Sequence, residues 1–422
     1  MSAGVKEPGQ GARVAWLDGL RGLAALQVVV LHYMAAFLPA IGLVQSGMAR
    51  RSWEGWFIHT PLFFPFDGYF AVFIFFLLSG VALDLSFRAR PRAVVQGASR
   101  RTIRLGIPMT AAVALGALLL LAWPEAHRHA AALTGSQGWL GAVSPDRVTL
   151  GAVLHQVAFE GMLMGYSNVS PLPGILVAPF HLSELTQSLN APLWTMHVEF
   201  LGSLLVLLLV FLRSMAGRLM HALACIAVPV ILGPSPLVLF VIGHAGATML
   251  TGRLAHRRIA AVCGVAMLCL GVGLDTHAAW PGTALLQGIL PGGPPEQSTN
   301  LLRLQLMCCA VLVFVGVALL PGAHALLRTR TAQWLGRMSF SLYLVHFPIL
   351  FTVVSALFVQ LSRFLPFGAA AAGASLVGVA ITVPAAMGFR RWMDAPAVRL
   401  SRRVGARTRA SVAAVPIGSG SA

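Results

Sequence analysis

The sequence predicts an all-α, polytopic membrane protein of about ten transmembrane helices with both termini in the cytoplasm. Three observations predict it: the composition, the spacing of the apolar runs and the placement of the arginines. Of the 422 residues, 57% are hydrophobic and only 10% are charged, whereas a soluble domain carries roughly a quarter charged residues. A helix needs about 20 apolar residues to cross a bilayer. Runs of or near that length occupy 16–38, 62–87, 105–123, 194–212, 219–233, 236–251, 259–274, 302–320, 338–361 and 368–389. A further stretch, 150–166, holds His155, Gln156 and Glu160, and is expected to be re-entrant or to lie on the outer surface.

The cations orient the bundle. Of the 30 basic residues 29 are arginines, Lys6 being the only lysine, and the net charge is +17. In a soluble chain that charge would suit nucleic acid, but these cations flank the spans, so the expected partner is the lipid bilayer and not nucleic acid. An N-terminus inside the cell puts 24 of the 30 on the cytoplasmic side, six of them between 88 and 104 and seven between 390 and 409. That satisfies the positive-inside rule. A full span at 150–166 would invert every later loop.

The chain therefore divides into a cytoplasmic segment 1–15, a transmembrane domain 16–395 and a basic cytoplasmic tail 396–422 expected to be disordered. Two outer segments are long, 124–193 and 275–300. The second contains PGGPPEQSTN, expected to be non-helical. The first apolar run carries Arg21 and His32 and no small-residue cleavage site, so no signal peptide is expected. Cys225, Cys263, Cys269, Cys308 and Cys309 all lie in apolar runs and are expected to be free thiols rather than disulfides or metal ligands.

Ionisable residues inside spans cost at least about 2.5 kcal/mol each on insertion scales, so each needs a reason. In the first span Arg21 and His32 are eleven residues apart, three helical turns and about 20°, which puts them on one face some 16 Å apart. Asp18 lies one turn before Arg21 and can pair with it. A lone histidine would read as a hydrogen-bonded core residue; an arginine and a histidine on one face point to a site. Arg101 and Arg104 open the third span one turn apart, a fork suited to phosphate oxygens. Trp194, His197 and Glu199 open the fourth span from its outer end, and Tyr343 and His346 lie in the ninth.

In this order the segments LDGLRGLAALQVVVLH (17–32), FFLLSG (75–80), RRTIRLGIP (100–108), LWTMHVEF (193–200) and GRMSFSLYLVH (336–346), with WMDAPAVRLSRR (392–403) after them, resemble the acyltransferase-3 family of bacterial membrane O-acyltransferases. The resemblance implies that Arg21 and His32 occupy the family's Arg-x10-His positions, Arg101 and Arg104 its Arg-x-x-Arg pair, Glu199 its Leu-Trp-Ser-x-x-x-Glu glutamate and His346 its C-terminal histidine. The aromatic that often follows the glutamate motif is absent, with Gly202 and Ser203 nearby.

What the resemblance implies is transfer of an acyl group from cytoplasmic acyl-CoA, acetyl-CoA being the favoured donor, to a hydroxyl on a surface glycan or lipid-linked saccharide. The expected setting is the bacterial inner membrane, with no metal and no permanently bound cofactor. Arg21, Arg101 and Arg104 would then hold the donor's phosphates. His32 would act as general base or transient acyl carrier, and Glu199 would orient His32 or hold the acceptor. Asp18, Trp194, His197, Tyr343 and His346 are candidates for support or for the acceptor pocket. The competing class is a transporter or flippase that uses the same polar residues as a translocation path.

Overall fold

The computed structural model describes residues 9–44, 46–88, 94–172, 178–250, 258–275 and 294–413. Eleven principal helices carry the described chain: α1 (Gly9–Phe37), α2 (Gly68–Phe87), α3 (Val94–Ala122), α4 (Trp194–Met215), α5 (Gly217–Leu232), α6 (Leu237–Leu250), α7 (Arg258–Leu274), α8 (Pro294–Leu319), α9 (Arg330–Ile349), α10 (Phe367–Phe389) and α11 (Ala395–Ala413). Seven of them, α1 to α4 and α8 to α10, are long and apolar enough to cross a membrane, while α5, α6 and α7 are shorter apolar helices. Each of the ten expected runs overlaps one of these helices, and the protein is a multi-pass, all-α membrane protein.

Local chemistry explains several boundaries. The Asp67 carboxylate accepts hydrogen bonds from Tyr69 N (2.7 Å) and Phe70 N (3.3 Å) and so starts α2, meeting amides that have no partner inside the helix. Thr329 Oγ1 caps α9 in the same way. Pro348 interrupts α9 near its end and is followed by a π-helical turn, Leu350–Val354. There Thr352 Oγ1 donates to Pro348 O (2.6 Å) and Ser355 Oγ to Leu350 O (2.8 Å). Such side chains satisfy backbone carbonyls that lipid cannot.

Two expectations need correction. Residues 294–300 of the Gly/Pro-rich patch are helical, as the first turns of α8, because prolines in a first turn remove only amides that lack partners anyway. Residues 276–293 lie outside the described set. The tail is not disordered from 396 onward: α11 is helical to Ala413 and packs along α3; residues 414–422 lie outside the described set. The N-terminal segment is already helical from Gly9, residues 1–8 also lying outside it. By contrast, 150–166 forms only Leu150–His155 and a π-turn Gln156–Glu160, about 16 Å of helix. That is too short to span.

The site depends on α1 and α9, which run side by side in the same direction. Their backbones nearly touch: a Cβ on Gly336 would lie 2.2 Å from Asp18 O, and one on Gly22 would lie 2.4 Å from Gly336 N. Small residues permit this approach in membranes. Gly336→Ala must push the helices apart, so we expect a loss of about 1–3 kcal/mol, seen as a lowered melting temperature of detergent-purified protein. A melting temperature equal to wild type would contradict this packing.

Candidate active site

Arg21 projects from α1 into the seam with α9. Its Nε donates to Ser339 Oγ (3.1 Å), its Nη2 donates to Gly336 O (3.0 Å) and pairs with Asp18 Oδ1 (2.9 Å). Three anchors fix one guanidinium. It forms part of the wall of a cavity of about 330 Å³, at the lower end of the range for small-molecule sites (about 300–1,000 Å³). Six arginines line it, Arg21, Arg100, Arg101, Arg104, Arg337 and Arg402, against two acids, Glu199 and Asp394. The lining comes from α2, the start of α3, the start of α4, the middle of α9, the C-terminal segment from Asp394 to Arg402 and Arg21 of α1, so the arginine-rich segments converge on one cavity.

Within this cavity α2, α3 and α4 are cross-tied by polar groups. Glu199 forms an ion pair with Arg101 Nη2 and accepts a hydrogen bond from Ser79 Oγ (2.7 Å). Arg101 Nε donates to Ser203 Oγ (2.8 Å), whose hydroxyl donates to Glu199 O (2.6 Å). Glu199 therefore belongs with the arginines, and the expectation that it orients His32 does not hold. Arg104 lines the same cavity but makes no hydrogen bond or ion pair of its own among the described residues. Arg101 is already engaged, so the expected phosphate fork reduces to Arg104 as the available guanidinium.

His32 has a different partner. Its Nδ1 lies 2.9 Å from His346 Nε2, and His346 Nδ1 lies 3.0 Å from Leu342 O. A carbonyl only accepts, so His346 carries its proton on Nδ1 and presents Nε2 as an acceptor. His32 then donates from Nδ1 and keeps the lone pair on its Nε2. In its neutral form His32 therefore has its tautomer set by a second histidine. Trp139, from a π-helical turn between α3 and α4 (Gln137–Gly141), stacks on His32 with ring centroids 5.6 Å apart, and Phe347 meets it edge-on at 5.5 Å. Beside Trp139, His127 stacks on Phe351; burial and the neighbouring Arg128 push its pKa down to about 4, so His127 is uncharged near neutral pH.

Tyr343 links the two regions. It lines the cavity, its ring lies 5.9 Å from that of His346, and its hydroxyl is 2.8 Å from both Pro192 O and Thr195 Oγ1. Trp194 and His197 are not in the lining. Trp194 packs edge-to-face on Phe76. His197 sits 3.1 Å from Met162 O and 3.3 Å from Ser170 Oγ, under Gly165, whose φ of +78° and contact with the ring leave no room for a side chain. His197 therefore anchors the segment between α3 and α4. Sequence reasoning missed Ser79, Ser203, Arg337, Asp394, Arg402 and Trp139 as site residues; the acidic-x-Pro ending did contain Asp394.

A family model described as an acyltransferase domain (Acyl_transf_3) matches residues 14–387, nearly all of the helical bundle. The chain belongs to the acyltransferase-3 family. It is also 27% identical over 399 residues to the O-acetyltransferase PaAT-1 of Phomopsis amygdali, with 81% of this chain and 73% of that one covered. No solved structure matches. Family membership and this likeness support O-acyltransferase activity, and the arginine cavity and histidine pair of this acyltransferase lie within the matched span except for Asp394, Val398, Ser401 and Arg402.

Proposed function

We propose that this acyltransferase takes an acyl group, preferentially acetyl, from cytoplasmic acyl-CoA and delivers it to a hydroxyl of a sugar in a surface or periplasmic glycan or lipid-linked saccharide, in a bacterial inner membrane. The observation that carries the reading is the His32–His346 pair, next to Tyr343, which itself lines an arginine-rich cavity. The donor's phosphates bind at Arg104 with Arg337 and Arg402, where charge-assisted bonds to planar guanidinium groups are strongest. Its pantetheine arm runs along the Arg21–His32 face, a rise of about 16 Å. His32 Nε2 takes the proton of the attacking hydroxyl as that oxygen adds to the thioester carbonyl, and CoA leaves as the thiol once protonated. His346 holds the imidazole in the required tautomer.

The name of the Phomopsis amygdali relative favours acetyl as the acyl group. The saccharide acceptor rests on the family resemblance and on the outer position of Trp139, an aromatic face of the kind on which a ring can stack. Mass spectrometry of envelope glycans from a deletion strain tests the reading: O-acetyl groups on one saccharide class should vanish and return on complementation. An unchanged set of O-acetyl groups with altered transport of a glycan would favour the transporter class.

Sidedness is testable with single cysteines in a cysteine-free background. Ala132, on the exposed face of a helix in 124–193, and Gly322, with open space around its Cα, are suitable positions. Ala132→Cys is expected to react with an impermeant maleimide added outside, and Gly322→Cys only after permeabilisation. Labelling of Gly322→Cys from outside would contradict the donor's entry from the cytoplasm.

A further inference from the structure

Among the described residues, one group of His, Cys, Asp or Glu side chains converges closely enough to hold a metal ion, and it lies outside the arginine cavity. Helix α5 supplies His221 and Cys225, one turn apart on a single face, and α6 supplies the buried His244. His221 Nε2 lies 2.8 Å from His244 Nε2, and Cys225 Sγ lies 3.5 Å from His221 Nε2. The second nitrogen of His244, Nδ1, is 3.1 Å from Asp84 Oδ1. Asp84 is fully buried and held in turn by Arg88 and by Arg213 Nη1 at 3.4 Å.

This arrangement has the parts of a metal centre in order. The Asp84 carboxylate approaches His244 Nδ1 at 3.1 Å without hydrogen-bond geometry; its charge favours the proton on that nitrogen and so leaves the Nε2 lone pair for the cluster, the side from which outer partners of metal-bound histidines act. Two imidazole nitrogens and one thiolate form a borderline-soft donor set. With metal–nitrogen bonds near 2.0–2.1 Å and a metal–sulfur bond near 2.3 Å, tetrahedral geometry requires about 3.5 Å between nitrogen and sulfur and about 3.3 Å between nitrogens. The Cys225–His221 separation meets that value. The two imidazoles need to part by about half an ångström. His221 and Cys225 are only half-buried, which leaves a way in for the ion.

We propose that His221, Cys225 and His244 bind a zinc ion that fastens α5 to α6. Helix α5 has reason to need it, because none of its residues is buried although it packs beside α4 and α6. Binding releases the Cys225 thiol proton to solvent and moves no electrons, and the fourth coordination position is open to water. The alternative is that the two imidazoles share a proton in an N–H···N hydrogen bond with no metal involved.

The test uses the full chain, purified in detergent through a tag that contains no histidine, stripped with a chelator, reloaded with zinc and desalted. About one zinc per chain is expected for wild type and for His129→Ala, which alters an exposed histidine elsewhere. His221→Ala/Cys225→Ser should fall to background, and zinc should raise the melting temperature of wild type but not of this variant. Reconstitution with Co2+ gives a readout that survives poor behaviour of the double variant: wild type should show a thiolate-to-cobalt charge-transfer band that Cys225→Ser lacks. Wild type retaining no zinc, or Cys225→Ser retaining the charge-transfer band, would overturn the proposal in favour of the hydrogen-bonded pair or of another site. Neither result would bear on acyl transfer, since none of the three residues lines the arginine cavity.

Discussion

Replacement of His32 by alanine is expected to lower acetyl transfer by at least about 100-fold, the lower end of what a positioned general base contributes, with folded protein at wild-type level. A neutral His32 presents an unprotonated Nε2, because His346 Nε2, 2.9 Å away, accepts from its Nδ1. Loss of His346 removes that orientation but leaves the base. His346→Ala should therefore cost less, about tenfold, as a fall in kcat with the donor KM unchanged. The assay is acetyl-CoA-dependent esterification of envelope glycans by membranes that carry each variant. More than about a tenth of wild-type activity in folded His32→Ala would remove His32 from the chemistry. A larger loss in His346→Ala than in His32→Ala would exchange their roles. A burst of free CoA without acceptor, absent in His32→Ala, would show that His32 carries the acyl group instead of only accepting a proton.

The second large effect is expected at Arg104. It lines the cavity without a hydrogen bond or ion pair of its own among the described residues, so its guanidinium is available to an anion. A charge-assisted hydrogen bond contributes about 1.5–3 kcal/mol, and Arg104→Gln should raise the donor KM by roughly one to two orders of magnitude with a smaller change in kcat. Arg101→Lys should behave differently. It loses the guanidinium that reaches both Glu199 and Ser203, ties that join α3 to α4, so the amount of folded protein should fall as well. Donor KM and thermal melting measured on both variants separate the cases. An unchanged donor KM in Arg104→Gln would place the phosphates elsewhere.

The reading of the sequence and the structure meet where the signal is local. The eleven-residue spacing puts Arg21 and His32 on one helical face, and the apolar runs locate the membrane helices. What the sequence leaves open is which helices become neighbours. His346 is 314 positions from His32, and nothing in either segment states that α1 and α9 run side by side; the glycines at 22 and 336 are the enabling feature, visible only once their backbones meet. Glu199 suits either histidine or arginine as a partner, and the packing of α4 on α2 and α3 decides for Arg101. Trp139 sits in an outer segment with no apolar period to follow. The prolines at 294 and 295 read as helix breakers, yet at a first turn they start a helix. Cys225 reads as a free thiol in an apolar run, because His221 beside it draws meaning only from His244 and Asp84, which come from two other helices.

The central claim is that donor and acceptor meet at His32 from opposite ends of the bundle, with acyl-CoA entering through the arginine-lined mouth. Transfer from acetyl-labelled CoA in sealed membrane vesicles of each orientation tests it most directly. The account predicts ester label when the donor is added to inverted vesicles, whose exposed face is cytoplasmic, and none when it is added to intact right-side-out vesicles. Equal labelling from the right-side-out face would contradict it.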